Sequence, residues 1–215
     1  MHALTGAPWL VLLLLGAAHG LNPGMGWLFA VALGLQEGRG AAVWRALGPL
    51  AAGHAAAVAL AVAVAAALGA VLPLGVLRWG VAALLLGFAL HRVLLNRHPR
   101  FGGMRVSQPE LAVWSFLMAS AHGAGLMVVP VLLSEDLAPS HAHHHLPQRA
   151  SLVASPAHDA LLATAIHTAG YLLVTGLLAV VVYHKLGLRL LRTAWVNLDL
   201  LWAGALVVTA VVVVS

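Results

Sequence analysis

The chain has 215 residues, of which 62% are hydrophobic and 8% charged, against roughly 25% charged in an ordinary soluble domain. A water-soluble fold is excluded, and the formal charge of +5 is distributed to orient a membrane protein rather than to meet a nucleic acid, since no basic patch is interleaved with aromatics. With no cysteine, disulfides, thiolate metal sites, iron–sulfur clusters and cysteine nucleophiles are excluded as well, leaving His, Met, carboxylate and backbone oxygen as metal donors.

In chain order, the first apolar segment covers residues 8–36 and is interrupted by Asn22-Pro23-Gly24. It lacks a basic n-region and runs on past His19, so it is not expected to be cleaved as a signal peptide. The second segment covers 46–69, the third 75–95, the fourth 110–134, the fifth 158–183 and the sixth 193–214. Each has the roughly 20 mostly apolar residues that a spanning helix needs. The expected fold is therefore an all-α polytopic membrane protein of about six transmembrane helices. Residues 1–98 form a first three-helix unit, 99–109 a cytoplasmic connector and 110–215 a second unit with an external loop at 135–157. Nine basic residues (Arg39, Arg45, Arg92, Arg97, Arg100, Arg105, Lys185, Arg189 and Arg192) fall on one side of this layout and two (Arg78 and Arg149) on the other. Basic residues collect on the cytoplasmic face, which puts both termini and the 135–157 loop outside an inner (plasma) membrane.

The halves resemble each other. Ala17-Ala18-His19-Gly20 recurs as Ser120-Ala121-His122-Gly123, and Gly53-His54-Ala55 has a counterpart in Ile166-His167-Thr168. A unit with an odd number of spans enters the membrane with opposite orientation in its second copy, so two inverted three-helix repeats are expected, as in many secondary transporters.

Candidate chemistry follows from what is expensive in a membrane. An ionisable side chain within a span usually faces a partner or a water-filled path. His19, His54, His122 and His167 occupy matching repeat positions, and together they would give a nitrogen-rich midplane site suited to zinc, nickel, cobalt or copper. Each taken singly is a neutral histidine bonded to the next helix. The break at Asn22-Pro23-Gly24 frees backbone carbonyls at membrane depth, tolerated only where they line a cavity or are buried in protein. Asn22, Pro23, Gly24, Met25, Met127 and Asp199 are accordingly candidates for a substrate pathway. Met25, Met118 and Met127 are otherwise packing residues, and Asp199 otherwise pairs with Arg192. Small residues near the histidines allow close helix approach or room for a substrate. His141, His143, His144 and His145, with Glu135, Asp136, His158 and Asp159, have the composition of a metal-collecting loop.

The run His19-Gly20-Leu21-Asn22-Pro23-Gly24-Met25, followed by Glu37-Gly38-Arg39 and Gly53-His54, resembles the nickel/cobalt efflux permeases and the hydrogenase/urease accessory permeases of the lysine-exporter-like superfamily. The resemblance implies a six-helix, two-repeat transporter. In the nickel/cobalt permeases the first-helix motif reads histidine, aspartate, histidine; here Asn22 stands for the aspartate and Met25 for the second histidine. The Pro-Gly break is similar to that of the superfamily's amino-acid exporters.

The function expected is a permease, not an enzyme, for a divalent transition-metal ion such as nickel or cobalt. No cofactor is expected to be tightly bound, and the ion is substrate. The expected partners are the lipid bilayer, the ion, and a second copy or an accessory transport subunit; nucleic acid is not among them. The alternatives are an exporter of an amino acid or small organic ion, and a membrane haem or metal-binding protein.

Overall fold

The computed structural model describes residues 7–95, 107–133, 157–186, 203–204 and 206–211, all of the regular structure there being helical. Helix α1 covers Ala7–Leu21, a 3-10 turn Pro23–Met25, α2 Trp27–Glu37, α3 Gly40–Val71 and α4 Leu74–Leu95. In the second half, α5 covers Gln108–Ala121, α6 Ala124–Leu133 and α7 Ala157–Val181, which ends in a π-helical turn at Val182–Leu186.

The first apolar segment is broken where proline removes a backbone donor, and α1 and α2 have 15 and 11 residues. At 1.5 Å per residue these are about 22 and 16 Å, so neither alone crosses a hydrocarbon layer of about 30 Å. The fourth segment, expected as one helix over 110–134, is also broken. It starts at Gln108, where the Ser107 N–H and hydroxyl both donate to Glu110 Oε2 at 2.7 Å. It then bends by 57° between α5 and α6. The bend is made at His122-Gly123, where Gly123 has φ +72°, a conformation that costs a residue with a Cβ dearly. Among the described residues two helices, Gly40–Val71 and Ala157–Lys185, are long and apolar enough to cross a membrane, or three if the bent pair counts as one span. The sixth expected segment lies largely outside the described residues; 203–204 and 206–211 are helical.

Helix α3 begins at Gly40, six residues earlier than expected. Its 32 residues extend about 48 Å, longer than an apolar layer of about 30 Å is thick. At its start Glu37 accepts from Arg39 at 2.8 Å and from Arg45 at 2.5 Å, closing the α2–α3 turn. The bond from Arg39, aided by Arg45, holds the Glu37 carboxyl below its usual range. A carboxyl with a depressed folded value stabilises the fold above its unfolded value of about 4.3, and the contribution is lost as pH falls through the folded value. Being exposed, the pair is screened and weak. Glu37→Gln is expected to narrow, by a small amount, the gap between thermal midpoints measured at neutral and strongly acid pH.

The distribution of polarity is the reverse of a soluble protein's. Leu10, Leu14, Leu60, Val64, Trp79, Leu173 and Leu177 are exposed, whereas His19, Asn22, His54, Ser115, His122, Thr164, His167, Thr168 and Thr175 are buried. Membrane association follows from this pattern and from the apolar helices.

The two most extensive helix pairings exchange partners between the halves: α1 lies along α7, and α5 lies along α3. Both are backbone-to-backbone contacts made possible by glycine. A Cβ on Gly16 would overlap the His167 carbonyl oxygen, one on Gly170 the Leu13 carbonyl, and one on Gly53 the Ala112 carbonyl. Without a hydrophobic force between helices in lipid, such close van der Waals packing is what holds them together.

Candidate functional site

Three of the four singled-out histidines meet in the interior. α1 carries His19 two residues before its end, α3 carries His54 near its middle, and α7 carries His167; all three are fully buried. The ring centroids are 5.7 Å apart for His19–His54, 5.2 Å for His19–His167 and 5.4 Å for His54–His167. His19 stands nearly perpendicular to the other two, at 73° and 71°, whereas His54 and His167 are parallel within 10°. The glycine contact at Gly16 is what lets α1 and α7 bring His19 and His167 so close.

Hydrogen bonding differs between the members. His19 Nδ1 lies 3.2 Å from the Leu15 carbonyl, and because a carbonyl can only accept, Nδ1 carries the proton and the neutral ring's lone pair falls on Nε2. His122, 1% exposed at the end of α5, makes the same i−4 contact, Nδ1 to the Met118 carbonyl at 2.7 Å. His19 and His122 are thus oriented by the same device. Neither ring nitrogen of His54 has a hydrogen-bond partner among the described residues, and His167, near the Leu12 backbone, does not reach hydrogen-bond geometry. Burying such groups without partners costs about 1–3 kcal/mol each.

Two imidazoles on one tetrahedral ion, with metal–nitrogen bonds of about 2.0–2.1 Å, have ring centroids about 5 Å apart. The three rings therefore stand at the separation a shared ion would set. Their orientation is another matter: among the described residues no group of three or more His, Asp or Glu side chains is arranged to hold a metal ion. His54 lies flat against His167. Its ring also stacks on Tyr171, at 4.0 Å and 9°.

At the break in the first apolar segment several carbonyls are bonded within the protein. The Asn22 N–H donates to the His19 carbonyl at 3.2 Å, and Asn22 Oδ1 accepts from the Gly24 N–H at 2.9 Å. Aromatic donors take three more carbonyls: Trp27 Nε1 bonds that of Leu21 at 3.2 Å, Trp114 Nε1 that of Gly24 at 3.1 Å, and the Tyr171 hydroxyl that of Met25 at 2.7 Å. The carbonyls of His19, Leu21, Gly24 and Met25 are thus bonded within the protein, which is one of the conditions under which membranes tolerate broken backbone. Pro23, which has no N–H, is where the backbone donor is missing, and Asn22 caps the turn.

Met25, Met118 and Met127 are buried in the apolar core. His158 is exposed, with Nδ1 3.3 Å from Asp159. Asp199 and the loop histidines His141, His143, His144 and His145 lie outside the described residues. Sequence reasoning passed over Tyr171 and Trp114. Tyr171 had a signal, being one helical turn beyond His167 and hence on the same face; Trp114, 90 residues from the carbonyl it caps, had none.

The chain matches no family model, and no curated protein or solved structure is similar to it.

Proposed function

We propose that the chain is an inner-membrane permease for a divalent transition-metal ion such as nickel or cobalt, taken up as substrate by His19, His54 and His167, with His122 nearby on the path. The observation that carries this reading is the convergence of three buried imidazoles from three helices, at the spacing of a shared ion, inside a largely apolar bundle. Imidazole without thiolate favours this group of metals. Nothing in hydrophobic packing calls for His54, whose nitrogens are unpartnered, so its retention has to be explained by use. To take an ion, the His54 ring turns out of its stack. Ion and proton compete for the same lone pairs, because a ligating histidine must be neutral.

The halves are read as inverted repeats, in line with the exchanged pairings α1–α7 and α3–α5 and the matched histidine-to-carbonyl bonds at His19 and His122. Alternating access would then be one half rocking against the other about the histidines. The sequence carries no nucleotide-binding motif, so an ion gradient or a separate ATPase supplies the energy.

The test is counterflow of cobalt in proteoliposomes holding untagged protein. Saturable cobalt movement that His19→Ala and His167→Ala each remove, with both variants still folded, is the expected outcome; movement of an amino acid in its place would favour the exporter reading, and a Soret band in the purified protein the haem reading. Orientation has its own test, made clean by the lack of native cysteine. Cysteines at Ser140 and Ser151 are expected to react with an impermeant thiol reagent in intact cells and one at Gly102 not to; the opposite pattern reverses the topology.

A further inference from the structure

We infer that Tyr171 is a positioning residue that ties the orientation of the His54 ring to the closure of the break in the first span, so that ion capture and opening of that break are one event. The inference rests on reading the three histidines as the transport site.

Tyr171 is fully buried and shares a face of α7 with His167, four residues before it. Its ring lies flat on His54 at 4.0 Å and 9°. Its hydroxyl donates to the Met25 carbonyl at 2.7 Å, in the 3-10 turn between α1 and α2. One side chain thus touches an imidazole from α3 and the irregular backbone of the first span, while its own helix carries another member of the site. The turn depends on this contact: Pro23 has no N–H to offer, and the Met25 carbonyl sits where water cannot replace a lost donor.

The stack fixes His54 parallel to both His167 and Tyr171. In that orientation the three imidazoles do not form a metal-holding group. Bringing a nitrogen of His54 to an ion between His19 and His167 turns the ring out of the stack and removes the surface on which Tyr171 rests. Tyr171 then shifts, the Met25 carbonyl loses its donor, and the turn rearranges, moving α2. Two arrangements follow, one stacked with the break closed and one turned with the break open, and an ion binds only the second. A ligand shifts such an equilibrium by as much as its affinity differs between the two states.

The experiment places a cysteine at Met25 in an otherwise cysteine-free chain in lipid nanodiscs and measures its rate of modification by a small methanethiosulfonate. Tyr171→Phe keeps the ring and the stack but removes the hydroxyl, and is expected to speed modification about tenfold, the worth of one buried hydrogen bond. Saturating cobalt is expected to speed modification in the Tyr171 protein and to add little in the Tyr171→Phe protein, a difference that a merely structural tyrosine would not produce. Tyr171→Leu, which removes the stack as well, is expected to modify at least as fast as Tyr171→Phe. Equal rates for Tyr171 and Tyr171→Phe, with both proteins folded, overturn the tie between Tyr171 and the break. Acceleration by the Phe variant with no cobalt effect and no cobalt binding leaves the tie standing and overturns the ion-site reading on which the inference rests.

Discussion

Replacing His54 by phenylalanine is expected to abolish cobalt transport, by a hundredfold or more, while raising rather than lowering the thermal midpoint of the protein. Both nitrogens of His54 are buried without hydrogen-bond partners among the described residues, so the native ring bears a desolvation cost of about 1–3 kcal/mol per group with no bond from them in return. Phenylalanine is of similar shape, can keep the stack on Tyr171, and removes those two polar atoms. An aromatic pair of this kind contributes about 0.5–1.5 kcal/mol beyond its area. The variant separates a functional histidine from a structural one. A histidine that held two helices together through a hydrogen bond would lose stability on this change and keep residual activity. A histidine retained for ion binding gains stability and loses activity, the usual trade at a working site. Thermal unfolding in detergent and cobalt flux in vesicles are the two measurements, and a destabilised variant with near-normal flux would contradict the account.

A second large effect is expected at the glycine contacts. Gly16→Leu places its first side-chain carbon against the backbone oxygen of His167, and backbone cannot give way as a flexible side chain can. The overlap is relieved only by moving α1 away from α7, which separates His19 from His167 and empties the packing on which the pair depends. Overpacking of a rigid contact costs about 1–3 kcal/mol and more where backbone must shift, so Gly16→Leu is expected to cost about 3 kcal/mol or more and to leave little folded protein. Gly53→Ala should act in the same direction at α3–α5, where its methyl meets the Ala112 carbonyl. The control is Gly87→Ala on α4, with no neighbour within 4 Å; it should be neutral or gain up to about 1 kcal/mol from helix propensity. Monodisperse yield and midpoint, compared across the three variants, check the ordering.

What could be read in advance was what lipid makes costly. Asn22-Pro23-Gly24 marks a break because proline lacks a donor whatever surrounds it, and the histidines stand out because an ionisable group in an apolar run needs a reason. The break at His122-Gly123 was not legible. Gly123 is one glycine of 22, and only its positive φ, set by tertiary packing, distinguishes it. Nor could the start of α3 at Gly40 be placed, since Arg45, exposed and bonded to Glu37, does not interrupt a helix. The pairing of α1 with α7 and of α5 with α3 lies in the shapes of facing surfaces, and with it the capping of Gly24 by Trp114 and of Met25 by Tyr171. Those bonds join segments that sequence spacing leaves unrelated. The resemblance to metal permeases drew attention to the histidines and gave no sign of the aromatic donors at the break in the first apolar segment.

The most direct test of the central claim is X-ray absorption at the cobalt edge on untagged protein in nanodiscs loaded with one equivalent of cobalt. The account predicts about three imidazole nitrogens near 2.0–2.1 Å, falling by one in His54→Phe and in His167→Ala. A shell of oxygen alone, unchanged when His19, His54 or His167 is replaced, would contradict it.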